Sequence, residues 1–94
     1  MTVPVPCYLV EWYHSVTDEP LDDTAARLKD SAVSMSAQGS RVQLLNLLSV
    51  PTDEVLFAVF TADSASTVAQ TCDRAGFPPQ RVSTATEVDV LRAP

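Results

Sequence analysis

The sequence predicts an α+β domain of ferredoxin-like type, βαββαβ, from three observations. Four short runs rich in branched and aromatic residues alternate with period two, and two other stretches space their apolar residues as a helix does. Along the chain the order is strand, helix, strand, strand, helix, strand. Several of the strands are apolar on both faces. Right-handed crossovers place the first and third strands at the centre of a four-stranded antiparallel sheet with both helices on one face. Residues 1–94 form one domain, with an ordered core over about 7–90.

The first strand is "CYLVEWY", residues 7–13, with Tyr8, Val10 and Trp12 on one face and Cys7, Leu9, Glu11 and Tyr13 on the other. Both faces are largely apolar, as in a strand covered on both sides. After the polar stretch "HSVTDEPLDD" comes a stripe of Leu21, Ala25, Leu28, Ala32 and Met35, which predicts a helix over about 22–38. Asp22 or Asp23 is placed to cap its first turn, and Gly39 to end it in the left-handed conformation.

"RVQLLNLLSV" and "VLFAVFT" predict a hairpin joined by "PTDE", with Pro51 at the fixed-φ position of a type I turn. Simple alternation sends Leu45 and Leu47 one way and Val42, Leu44, Leu48 and Val50 the other. The second helix starts at Asp63 or Ser64, turns Ala65, Val68, Ala69, Cys72 and Ala75 inward, and stops at Gly76 before "FPP". "RVSTATEVDV" closes the fold as an edge strand with one wetter side.

Helices cover one side of such a sheet. The apolar residues on its other side predict a two-fold homodimer that pairs sheet with sheet, of the dimeric α/β-barrel type. A chain this short also gains from a partner, because folding buries only about 60 to 65% of its unfolded surface.

Composition excludes several function classes. Six basic residues stand against twelve acidic ones, with no basic cluster, so a phosphate backbone is repelled. No stretch approaches the roughly 20 apolar residues that a membrane span requires, and "MTVPVPC" lacks the pattern of a signal peptide. The expected location is the cytoplasm, where Cys7 and Cys72 are two reduced, buried thiols.

Chemistry-bearing residues are few. His14 is the single histidine, followed by an acidic stretch containing Asp18, Glu19, Asp22 and Asp23, so it reads as a solvated residue or as a metal ligand shared with a carboxylate. Glu11 lies in a central strand, where it pairs with Glu87 across the ladder or reaches solvent or an arginine. No dinucleotide, P-loop, nucleophile-elbow or zinc-protease motif is present.

Four stretches make the chain resemble a known family. They are "YLVEW" at 8–12, the alanine-rich first helix, a hairpin of matching length, and "RAGFPPQRVSTATEV" at 74–88, which is similar to the family's closing Arg-Ala-Gly-Leu-Pro segment. The family is that of small bacterial ferredoxin-like domains of unknown function, which includes nickel-binding members. The resemblance covers most of the chain, and it implies the same fold and nickel as a ligand. Glu11 is retained. Where the family commonly has His-Ser-Tyr in the second strand, this chain has Asn46, Leu47 and Leu48. Its Tyr-Cys-Leu-Tyr-Glu in the third strand is here Phe57, Ala58, Val59, Phe60 and Thr61, and the histidine late in its second helix is Thr71.

The leading expectation is therefore a homodimer that catalyses nothing and binds a small apolar ligand or a protein partner, without a cofactor. Its cleft, between sheet and helices, is lined by Glu11, Trp12, Tyr13, Asn46 and Phe57. One alternative is a nickel or other divalent-metal protein using His14 with carboxylates across the dimer. Another is an enzyme related to dimeric α/β-barrel monooxygenases, with Glu11 as base and Trp12 or Tyr13 lining the pocket.

Overall fold

The structure, a computed structural model, describes residues 5–13, 19–88, 90 and 91. Its elements are β1 (Val5–Tyr13), α1 (Leu21–Ala37), β2 (Val42–Val50), a 3-10 turn (Pro51–Asp53), β3 (Val55–Ala62), α2 (Ala65–Ala75) and β4 (Arg81–Glu87). The sheet runs β2-β3-β1-β4 with every neighbouring pair antiparallel. This is the predicted βαββαβ order, with β1 and β3 central.

Both helices lie on one side. Val10 and Trp12 of β1 and Leu56, Ala58 and Phe60 of β3 form a single buried cluster with Leu28, Ala32 and Met35 of α1 and Val68, Cys72 and Ala75 of α2. By strand alternation Leu9, Glu11, Tyr13, Val55, Phe57 and Val59 then face away from the helices. Each large side chain fully buried in the cluster contributes on the order of 1.5–3 kcal/mol, more than any single cap. Among the described residues, no helix is long and apolar enough to cross a membrane.

Three local expectations are corrected. Helix α1 starts at Leu21 after Pro20, so Asp22 and Asp23 fall inside the first turn and no side chain caps it. They still favour the positive end of the helix dipole. The buried stripe is Thr24, Leu28, Ala32 and Met35, whereas Leu21 is 42% exposed and Ala25 half-buried. Thr24 is tolerated there because its hydroxyl donates back to Glu19 Oε1 at 3.4 Å and to the Pro20 carbonyl at 3.5 Å.

The second correction concerns β2. Leu44 lies opposite Phe60 and Asn46 opposite Val59, which leaves Leu45 as an extra residue in a β-bulge. Beyond the bulge the alternation reverses. Val42, Leu44 and Leu47 pack on the helix side, while Asn46, Leu48 and Val50 share the face of Val59, Phe57 and Val55. The third correction concerns α2, whose buried residues are Val68, Thr71, Cys72 and Ala75 rather than a stripe beginning at Ala65. The Thr71 hydroxyl is satisfied by the Thr67 carbonyl at 2.8 Å.

Helix α2 begins and ends as its sequence predicts. Ser64 Oγ accepts the Thr67 amide at 3.2 Å, and Gly76 ends the helix at φ 91°. Its amide and that of Phe77 return to the carbonyls of Asp73 and Cys72. A Cβ at Gly76 would stand 3.0 Å from the Arg27 guanidinium, which donates to the Ala75 carbonyl at 3.0 Å and stacks 4.8 Å from the centre of the Phe77 ring. Gly76→Ala is therefore expected to lower stability by about 1–3 kcal/mol through left-handed strain and displacement of Arg27. Urea unfolding should show a lower midpoint with an unchanged slope; an unchanged midpoint would contradict this account of the helix end.

Candidate functional site

The polar group most distinct from its surroundings lies on the side of the sheet away from the helices. Glu11, in the middle of β1, faces Phe57 of β3 on one side and Arg81 of β4 on the other. Tyr13, two residues on, shares its face, and its hydroxyl donates to Glu11 Oε1 at 2.8 Å. Arg81 Nε stands 3.7 Å from Glu11 Oε2 and donates to Ser83 Oγ at 3.1 Å. The Gln80 amide donates to the Glu11 carbonyl, and the Gln80 side-chain oxygen accepts from the Tyr13 amide.

Burial is uneven across this group. The Glu11 side chain is only 15% exposed although it sits on the face away from the helices, whereas Arg81 is 65% exposed. The Tyr13 hydroxyl is held above the ordinary tyrosine range, first by its hydrogen bond to Glu11, then by loss of solvent and the carboxylate charge; Arg81 opposes this in part. The sign follows directly. The protonated phenol is the form that holds the bond, so this contribution is present below the pKa of an unfolded tyrosine and is lost as pH rises through the raised one.

The structure brings Glu11, Tyr13 and Phe57 together. Asn46 is on the same face, opposite Val59, one row along and one strand further from β1. Trp12 is separated from them: it points to the helices, is fully buried, and donates its indole N–H to the Phe77 carbonyl at 2.9 Å. The expected cleft between sheet and helices is filled, since Trp12, Phe60, Leu28 and Val68 close that layer. His14 and Asp18 lie outside the described residues.

The pairing of Glu11 with Glu87 is also corrected. The register sets Arg81 opposite Glu11 and carries Glu87 to the far end of β4, opposite Val5. Composition and spacing missed Arg81, Gln80 and Ser83. Parity already put Arg81 and Glu87 on one face of β4, but the choice between them depends on where "FPPQ" enters the sheet.

Both cysteines are buried, and neither is in a disulfide. Burial and then the Glu87 charge raise the Cys7 thiol. Burial, with a smaller effect of Asp73, pushes Cys72 up to about 12. Among the described residues, no three His, Cys, Asp or Glu side chains come together. Between the helices an open groove of about 320 Å³ is lined by Arg27, Asp30, Ser31, Ser34, Arg74 and Ala75, a polar set unlike the apolar sheet face.

No family model matches the chain, and no curated protein is similar to it. Among solved structures, the crystal structure of SCO4226 from Streptomyces coelicolor A3(2) is similar, with a TM-score of 0.63 at 12% identity over 82% of this chain and 91% of that one. At that identity the likeness concerns architecture. Together with the order of the elements, it identifies the chain as a ferredoxin-like α+β domain.

Proposed function

We propose that the chain is a non-enzymatic domain that pairs with a second copy through its open sheet face, in the manner of dimeric α/β barrels, and holds a small apolar ligand between the two sheets. One observation carries this reading: the face away from the helices is lined by apolar side chains, and among the described residues no helix or strand packs over them. Leu48 is 59% exposed there, and Phe57, Val59, Leu9, Val55 and Val50 are half-buried.

Size and charge support a second copy. Nine-residue strands span about 30 Å, and four strands about 19 Å, so the face is roughly 550 Å² even without side-chain relief. That is of the order needed by a stable interface, about 800 Å² of accessible surface per partner. Among the described residues on this face the charges are Glu11, Glu87 and Arg81, a net of −1, against −6 for the chain. Self-association therefore meets little repulsion across the sheet. In the space between, Phe57 offers an apolar wall, and Glu11, Tyr13 and Asn46 offer polar contacts.

Leu48→Asp should halve the subunit number measured by multi-angle light scattering at micromolar concentration and leave the circular dichroism unchanged. A wild-type monomer, or an assembly that Leu48→Asp does not alter, would overturn the pairing. Native mass spectrometry of freshly purified protein reads the ligand directly: a retained organic molecule supports the reading, and a bound divalent metal would put nickel in its place.

A further inference from the structure

The two edges of the sheet differ in how they are finished. β2 is interrupted by its bulge at Leu45, a device that twists an edge strand away from further pairing. β4 has no such interruption. It pairs with β1 in unbroken register over all seven residues from Arg81 to Glu87, and no described strand lies on its other side. Between its terminal charges stand Val82, Ser83, Thr84, Ala85 and Thr86, with no proline, glycine or lysine to blunt the edge.

The charges of this strand are self-complementary. Arg81 lies three residues before Thr84 and Glu87 three residues after it. In an antiparallel pair of two β4 strands centred on Thr84, Arg81 of each strand falls opposite Glu87 of the other, and both lie on one face. A slip of two residues would set Arg81 against Ala85 and lose both pairs. The side chains are accessible: Arg81 is 65% exposed, and Thr84 and Thr86, on the helix side beyond Val82, are exposed as well.

We propose that β4 is a second self-association surface, pairing edge to edge and antiparallel with β4 of another copy about a two-fold axis at Thr84, to form a continuous eight-stranded sheet. Arg81 then bridges Glu11 of its own chain and the partner's Glu87. Backbone groups of the edge supply the ladder, and the two ion pairs fix its register. This surface is the rim of the sheet, whose outward backbone groups the face proposed above does not use, although Arg81 and Glu87 border both.

Thr84→Cys tests the register. Opposite residues of an antiparallel pair have Cα atoms about 4.5–5.5 Å apart, within the range a disulfide spans. Thr86→Cys is the control: it shares the face and the exposure, but its copy lies about four residues along the ladder, roughly 13 Å away. Under mild oxidation at micromolar concentration, Thr84→Cys should give a disulfide-linked dimer on a non-reducing gel at least tenfold faster than Thr86→Cys. The wild-type protein, with Cys7 and Cys72 buried, should give none. Adding Arg81→Glu should slow the Thr84→Cys cross-link, and Arg81→Glu with Glu87→Arg should restore it. Equal rates for the two cysteine variants, or no effect of Arg81→Glu, would overturn the proposal. If only the face reading fails, Leu48→Asp leaves the subunit number unchanged while Thr84→Cys still cross-links.

Discussion

Trp12→Ala is expected to lower stability by about 3–5 kcal/mol, the range for removing a buried aromatic side chain from a core. For a domain whose total stability is on the order of 5–15 kcal/mol, that leaves a marginal or unfolded protein. Trp12 is the largest fully buried side chain, and it joins the central strand β1 to the connection between α2 and β4 by donating to the Phe77 carbonyl. Phe77 is itself held by its amide bond to the Cys72 carbonyl and by the Arg27 guanidinium over its ring. The loss would thus be felt on both sides of the sheet–helix layer. Trp12→Phe keeps much of the apolar volume but leaves that carbonyl without its donor, and should cost about 1–3 kcal/mol. Urea unfolding followed by circular dichroism measures both variants. A shift below about 1 kcal/mol for Trp12→Ala would mean that the tryptophan is not in the core.

Stability should also fall steeply above pH 9. The Cys72 thiol has an ordinary value of 9.0, and burial among the helices pushes it up to about 12 in the folded chain. In alkali the unfolded chain therefore loses this proton first. Its contribution is fully present below pH 9 and is lost as pH rises toward 12, a change on the order of 4 kcal/mol. Cys7 and Tyr13 are raised as well, so their contributions have the same sign. Cys72→Ala removes the largest of these shifts and should flatten the stability profile between pH 9 and 11. Parallel profiles for the two proteins would exclude Cys72 as the cause. In the native protein at pH 8 the same thiol should resist alkylation, because little thiolate forms and the sulfur is enclosed.

How much of this was legible follows from particular residues. The stripe Leu28, Ala32, Met35 and the punctuation by Ser64, Gly39 and Gly76 located the helices, because helical spacing and left-handed glycines are local properties. The start of α1 was less legible. Pro20 and Thr24 set it, and a threonine enters the buried stripe only because a neighbouring carboxylate and carbonyl accept its hydroxyl. The bulge at Leu45 was hidden as well. "LLNLL" carries apolar residues at both parities, so alternation alone could not show which leucine was the extra one.

The candidate site shows the same division. Glu11 stood out because a carboxylate in a central strand is uncommon, Tyr13 and Phe57 were named with it as pocket lining, and the sheet brings the three together. Trp12 was grouped with them by adjacency, yet neighbours along a strand point to opposite faces, and only packing against the helices decides which face is the core. Arg81 was passed over because its role depends on the position of another strand.

The amino-acid sequence by itself determined the order of the elements, the central place of β1 and β3, and the presence of apolar residues on both sides of the sheet. Periodicity, capping and crossover handedness are short-range rules, and a chain obeys them without reference to its distant parts. Only the tertiary structure decided that Glu11 meets Arg81 and Tyr13 rather than Glu87, that β2 reverses its faces at Leu45, and that Trp12 lies within the core. The reason is register: sliding one strand by a single residue exchanges its two faces at little local cost, so the choice is made by the summed packing of the whole sheet against its helices.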